Sequence, residues 1–507
     1  MCGDFTSSPM LTLTLLIGKG WMSIFGDSLI SYRVLNWMLW ILSALLPYFI
    51  LVPSDLRIRN LKFVSLSLIL TAVLNFNMYG GDVSTLFFLT LSASFIIKYY
   101  YTNKVIHLLI FGICSSLLIL VRFPNILMVL AFIVVLGIME YSKNYPKLPG
   151  GRIVLSFVKK ISVYFVVCIA CYLLIIRIIY GSLSEFTSKL TLSILNTDES
   201  HTIITMVKVY LKHFVKLFQY VGVCFLLFII INNKLNFSLL IQRILTILAL
   251  LFFILFLKVE IGIGGYNVNI SLFYSAIICS ILILNSIFHF HKQENDKLVF
   301  ISIILILAII PVLGSTTGLF RYAPFLISFL PVILVSNQSV FQEKPDLRYL
   351  FVIFILFTVY TKMMFVYEDS NITNLKYEFK TEKLKHIRTT RANVEYIDDV
   401  LKVFEGFEKD KKTVLFYGKV SHVFYYLTDT KPLCQVSFWM PPYDLNEVKK
   451  VEQTVISNRP VVIFVPSYPE ISAQNFKNRN SISPFEEMLI ENGYYASAKN
   501  SFIIYNP

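Results

Sequence analysis

From Leu29 onward, runs of about twenty apolar residues recur along most of the chain, each long enough to cross roughly 30 Å of bilayer hydrocarbon as a helix. Inside hydrocarbon the backbone amides find partners only in each other, so a chain of this kind folds as packed membrane helices. About twelve spans are expected: Leu29 to Val52, Leu61 to Met78, Val83 to Tyr99, Val105 to Val121, Phe123 to Glu140, Ile161 to Tyr180, Lys212 to Ile231, Phe237 to Leu257, Tyr266 to Phe290, Leu298 to Leu313, Leu319 to Ser336 and Arg348 to Val366. With 56% of 507 residues hydrophobic and only 15% charged, the composition agrees with this and excludes an ordinary soluble domain.

The net charge of +14 is unevenly spread. From Tyr367 onward acidic and basic residues balance at about 18 each, so the excess lies in the apolar part, concentrated in alternate loops. Arg57, Arg59 and Lys62 follow the first span, Lys98 and Lys104 the third, and Lys143, Lys147, Arg152, Lys159 and Lys160 the fifth. A positive charge bias of this sort places those loops in the cytoplasm and argues against nucleic acid as a partner. Alternation then puts Met1 to Asp27, the break holding Asp82, the loop from Gly181 to Leu211, the turn from Gly314 to Gly318 and the whole tail on the outer face. Met10 to Phe25 is apolar but interrupted by Gly18, Lys19 and Gly20, and reads as a helix lying on the outer interface. A chain that begins outside in this way is expected to have at least one further span upstream.

The tail has a different pattern. "TVLFYG" (Thr413 to Gly418), "PVVIFVPS" (Pro460 to Ser467) and "SFIIYN" (Ser501 to Asn506) read as buried strands, while Lys376 to Glu408 and Ser483 to Asn492 carry helical spacing. The expected architecture is therefore an α-helical polytopic membrane protein with a C-terminal extracytoplasmic α/β domain. Residues 1–27 form an outer loop and interface helix, 28–366 the membrane domain and 367–507 the α/β domain. The tail carries no nucleotide fingerprint, Walker loop, metal-ligand spacing or nucleophile elbow. Five of the cysteines lie in apolar stretches, and Cys2 and Cys434 make no disulfide framework.

Within the apolar part a few polar residues stand out. Asp82, after Gly80-Gly81 in "NMYGGDVSTLFF", caps the third span, accepts a proton from a substrate hydroxyl, or does both. Arg122 in "LVRFPN" and Arg321 in "GLFRYAPF" lie against the inside bias at outer loops, where each either binds an anion such as a phosphate or snorkels to lipid headgroups. "GIGG" (Gly262 to Gly265) reads as an ordinary turn rather than a phosphate cradle, and His422 as a surface or helix-start residue. Asn371-Ile372-Thr373 fits a glycosylation sequon.

The order of these features resembles the GT-C membrane glycosyltransferases. "TSSPMLTLTLLIGKGWMSIFGDSLISYRVLNWMLWILSALL" (Thr6 to Leu46) is similar to the proline loop, interface helix, Phe-Gly-Asp and following span of that family. The likeness continues through Asp82, "LLILVRFPNIL" (Leu117 to Leu127), "RYAPFLISFLP" (Arg321 to Pro331) and an outer α/β tail. It is nearest the bacterial branch related to protein O-mannosyltransferases and lipid A aminoarabinose transferases. The resemblance implies a bacterial inner-membrane enzyme that transfers a sugar, with inversion, from a polyprenyl-phosphate-linked donor to a glycan, lipid or protein acceptor at the outer face. It implies Asp82 as a catalytic carboxylate and Arg321 and Arg122 as donor phosphate ligands, with Asp4, Lys19 and Tyr322 in support. A divalent cation is left open. The family's principal acid precedes the proline loop; here Asp4 is the only acid before Pro9, at the wrong spacing. That acid is expected in the missing upstream segment; otherwise the chain as given is inactive. The rival readings are a transporter of polyprenol-linked glycans, for which the sequence shows neither clear repeats nor midplane breaks, and a non-catalytic scaffold.

Overall fold

A computed structural model describes residues 11–54, 81–144, 149–195, 328–336, 372–410, 412–418, 421–433, 445–465, 484–498 and 502–507, with isolated positions elsewhere. The chain divides near Asp369 into two compact units.

In the apolar unit the described helices are α1 (Thr12–Phe25), α2 (Leu29–Leu51), α3 (Gly81–Thr102), α4 (Val105–Val121), α5 (Ile126–Asn144), α6 (Gly150–Tyr180), α7 (Leu183–Leu195) and α8 (Leu330–Ser336). Among the described residues four stretches are long and apolar enough to cross a membrane: Leu29–Leu51, Asp82–Thr102, Phe123–Asn144 and Gly150–Tyr180. With α1 and α4 as shorter apolar helices, this is a multi-pass membrane protein. The expected spans from Leu61 to Met78 and from Lys212 to Leu313, most of Leu319 to Ser336, and Arg348 to Val366 lie largely outside the described residues.

Two helices differ from expectation. The sixth span was expected from Ile161, yet α6 begins at Gly150 and runs for 31 residues. The basic residues Arg152, Lys159 and Lys160 make this stretch look like a loop. Its apolar residues nevertheless keep helical spacing, with Ile153 packed inward and Arg152 exposed. Likewise the expected outer loop after Tyr180 holds helix α7, entered through a turn at Gly181 (φ 72).

The core of the bundle is aromatic. Phe111 of α4 stacks on Tyr164 of α6, with ring centroids 4.6 Å apart, and meets Phe132 of α5 edge-on at 5.3 Å. Helices α4 and α6 approach closely at Gly112, where a Cβ would lie 3.1 Å from Val167 Cγ1 and 3.2 Å from the Tyr164 carbonyl oxygen. Small residues at helix contacts permit this in membranes, where dispersion replaces the hydrophobic effect as the drive to pack.

The C-terminal unit is a four-stranded sheet with helices on both faces. In chain order it comprises the short pair β1 (Tyr377–Glu378) and β2 (Arg388–Thr389), α9 (Arg391–Lys409), β3 (Val414–Tyr417), α10 (Ser421–Thr428), α11 (Leu445–Asn458), β4 (Val461–Phe464), α12 (Pro484–Glu491), β5 (Tyr495–Ala498) and β6 (Ile503–Asn506). Strand order is β3-β4-β6-β5, with β3 and β4 parallel and the other pairs antiparallel. Alternation of side chains sorts two cores. Phe416, Val461 and Ile463 pack against Val400 and Phe404 of α9, while Leu415, Tyr417 and Val462 pack against Phe485 and Leu489 of α12. The Tyr425 hydroxyl is pinned to the backbone of Phe416, accepting from its N–H at 3.0 Å and donating to its carbonyl at 3.1 Å. The three strands expected from sequence are present, and the helical spacing from Lys376 resolves into the β1–β2 pair followed by α9.

Candidate functional site

Helices α3 and α4 form an antiparallel hairpin, turning at Asn103, which adopts a left-handed conformation (φ 55). Residues equally far from such a turn meet at the far end of the hairpin, and Asp82 and Arg122 are placed in that way. Arg122 Nη1 donates to Asp82 Oδ1 at 3.5 Å, with the side chains 18% and 22% exposed respectively. Contact between them is a single long bond between two partly exposed side chains.

Local backbone explains how each residue arrives there. Asp82 lies in the first turn of α3, which begins at Gly81. In that turn its charge faces the positive end of the helix dipole. Arg122 is extended (φ −157, ψ 117), separating α4 from the 3-10 turn Phe123–Asn125. Pro124 supplies a fixed φ and no amide donor at the start of that turn, so the chain re-enters a helix after one extended residue.

Several side chains brace this end. Asn125, 1% exposed, donates through Nδ2 to the Leu118 carbonyl at 2.9 Å and to Thr85 Oγ1 at 3.0 Å. It thus satisfies a carbonyl of the last turn of α4 and ties that turn to the first turn of α3. Helix α1 lies across the same end: Thr14 Oγ1 donates to the Val121 carbonyl at 3.0 Å, and Thr12 Oγ1 shares a 2.7 Å hydrogen bond with the Tyr180 hydroxyl at the end of α6. Leu13, Leu120, Ile176 and Phe186 fill the space between these helices.

Of the residues singled out in the sequence, the structure brings together Asp82 and Arg122. Lys19 is exposed on α1, about one turn beyond the buried Thr14. Asp4, Arg321, Tyr322, the glycines from 262 to 265 and Asn371 lie outside the described residues. Asn125, Thr85, Thr14 and Tyr180 were not singled out. The Pro-Asn pair of a tight turn and the Thr-x-Thr spacing in an apolar helix were the available signals for Asn125 and Thr14.

At the other end of the bundle a second polar cluster, also unforeseen, surrounds Glu140. This side chain is 3% exposed and pairs with Lys160; it also accepts from Ser156 Oγ at 2.9 Å and from Asn144 Nδ2 at 3.2 Å. Beside it Lys143 binds the Tyr100 carbonyl and Asn103 Oδ1. Among the described residues no group of three His, Cys, Asp or Glu side chains is placed to hold a metal ion. In the tail, His422 is half-buried, and burial pushes its pKa below the ordinary 6.5.

No family model matches the sequence, and no curated protein matches it. Among solved structures the chain is similar to the Archaeoglobus fulgidus oligosaccharyltransferase crystallised with zinc and sulfate, at 13% identity and a TM-score of 0.46, over 99% of this chain. The chain spans 66% of that protein's length. Likeness at this level fixes neither reaction nor substrate, so the reading of the site rests on its own residues.

Proposed function

We propose that this protein is a membrane glycosyltransferase of the GT-C type that moves a sugar from a polyprenyl-phosphate-linked donor to an acceptor hydroxyl at the outer face of a bacterial inner membrane. The observation that carries this reading is the meeting of Asp82 and Arg122. They come from two separate motifs of the sequence resemblance, and both are partly exposed at the hairpin end that α1 lies across.

The chemistry follows from the charges. The acceptor oxygen attacks the anomeric carbon as the bond from that carbon to the phosphate oxygen breaks, inverting the configuration. Its proton passes to a carboxylate, and the polyprenyl phosphate leaves with the bonding electrons. Asp82 is the group that takes the proton or orients the hydroxyl. Arg122, together with Arg321 in the proposal, offsets charge on the departing phosphate. Because Arg122 reaches Asp82 through a single 3.5 Å contact, an arriving phosphate has a weak bond to replace.

The test uses the full chain in proteoliposomes with a radiolabelled polyprenyl-phosphate sugar. Transfer to acceptor by the native protein, and its loss in normally expressed and folded Asp82→Asn, is the expected result. Undiminished transfer by that variant would remove Asp82 from the reaction. Translocation of the label across the bilayer without transfer would replace the enzyme with a transporter.

A further inference from the structure

Between Asp82 and Glu185 the sequence contains a single acidic residue, Glu140, and it is consumed by the buried pair with Lys160. The same end of the bundle carries Lys98, Lys104, Lys143, Arg152 and Lys159. Lys143 is turned inward onto Tyr100 and Asn103. Among the described residues Lys98, Lys104, Arg152 and Lys159 have no acidic partner.

These cations are interleaved with exposed apolar side chains, uncovered among the described residues. Helix α6 packs one face inward through Ile153, Ser156 and Lys160. The other face, Arg152, Leu155 and Lys159 at i, i+3 and i+7, is exposed, with Leu155 at 70%. Across the α3–α4 turn, Lys104 is followed by Val105 and Ile106, 60% and 53% exposed. Water alone does not suit such a surface, and hydrocarbon alone does not suit its charges. A 31-residue helix is about 46 Å long, so α6 overhangs a hydrocarbon layer of roughly 30 Å by about ten residues. Its cationic end is the overhanging one, at the level of lipid headgroups.

We propose that this end of the bundle, through Lys104, Arg152 and Lys159, is a binding surface for anionic phospholipid headgroups, with Val105, Ile106 and Leu155 seated among the acyl chains beneath them. Uncompensated charge supplies the selectivity for anionic over zwitterionic lipid, and the exposed apolar residues supply the depth. Its partner is the bilayer itself, not the donor substrate, whose proposed site is at the opposite end.

The experiment compares the full chain in nanodiscs of phosphatidylcholine alone and of phosphatidylcholine with phosphatidylglycerol, reading retained lipid by mass spectrometry and unfolding by light scattering. Native protein is expected to enrich phosphatidylglycerol and to unfold at a higher temperature in its presence, an effect that added salt removes. Each cation neutralised as Lys104→Gln, Arg152→Gln or Lys159→Gln should weaken the preference about five-fold, while Arg152→Lys should preserve it. All three positions are exposed, so unchanged unfolding in phosphatidylcholine alone verifies that the variants are folded. Equal retention of both lipids by the native protein overturns the proposal. So does a salt-insensitive preference, or a lipid-independent protein partner bound through these residues. Sugar transfer is not read in this experiment, so its failure leaves the proposed reaction standing and the converse also holds.

Discussion

Exchanging the charges of Asp82 and Arg122 separates a structural ion pair from a working one. At 3.5 Å the gross Coulomb attraction is about 5 kcal/mol for an effective dielectric constant near 20 and about 1 kcal/mol in bulk water. Both side chains are about a fifth exposed and share one long bond, so the net coupling is expected at about 1–2 kcal/mol. A cycle of Asp82→Asn, Arg122→Gln and the double variant, followed by thermal unfolding in nanodiscs, should return that coupling, with the double variant losing less than the two singles summed. The swapped variant, Asp82→Arg with Arg122→Asp, should recover the pairwise coupling but not the helix-dipole contribution, because opposite charges again face one another while each now sits at the wrong helix end. Transfer should not recover, because a base and a phosphate ligand have exchanged places. Coupling indistinguishable from zero would mean that the pair is not formed. Recovery of transfer along with the coupling would make the pair a brace for the hairpin and nothing more.

Other consequences follow from single contacts. Glu140→Gln leaves Lys160 charged and three-quarters buried without its counter-ion, and should destabilise the bundle by about 2–4 kcal/mol, measured as loss of unfolding temperature. Glu140→Gln with Lys160→Met should recover most of it. Gly418 holds φ +118, and a Cβ there would sit 2.4 Å from the Val465 carbonyl oxygen, so Gly418→Ala should cost about 3 kcal/mol or more and expose the β3–β4 region to proteolysis. His422 has its pKa lowered by burial, so the folded tail resists a proton that the unfolded chain accepts. Its contribution is present above the unfolded pKa near 6.5 and is lost as pH falls below it toward the folded value. Hydrogen exchange in α10 should therefore quicken below that pH, and much less so in His422→Phe.

The parts of the fold legible in sequence are those set by periodicity. Apolar runs bound α2 and α4 to within a residue, and the buried strands β3, β4 and β6 announce themselves as short apolar runs between turn residues. Strand β5 does not: Tyr495–Ala498 is mostly exposed and exists because β6 supplies hydrogen-bond partners along the sheet edge. The cationic start of α6 reads as loop because charge is taken as a mark of water, although long basic side chains tolerate a headgroup environment. At the site, each of Asp82 and Arg122 is visible as an isolated charge, but their contact depends on the tightness of the turn at Asn103. The hairpin supplies a signal that single residues do not, since both stand about equally far from that turn. Asn125 is the least legible: its role comes from where Leu118 and Thr85 lie in space, 7 and 40 residues away.

The most direct test of the proposed reaction is single-turnover transfer with the full chain in proteoliposomes, supplied with a polyprenyl-phosphate sugar of known anomeric configuration and an acceptor. The account predicts a product of inverted configuration, released polyprenyl phosphate in equal amount, and loss of both in Asp82→Asn. Native, folded protein that binds the donor yet leaves the bond from the anomeric carbon to the phosphate intact, whatever acceptor is offered, would contradict it.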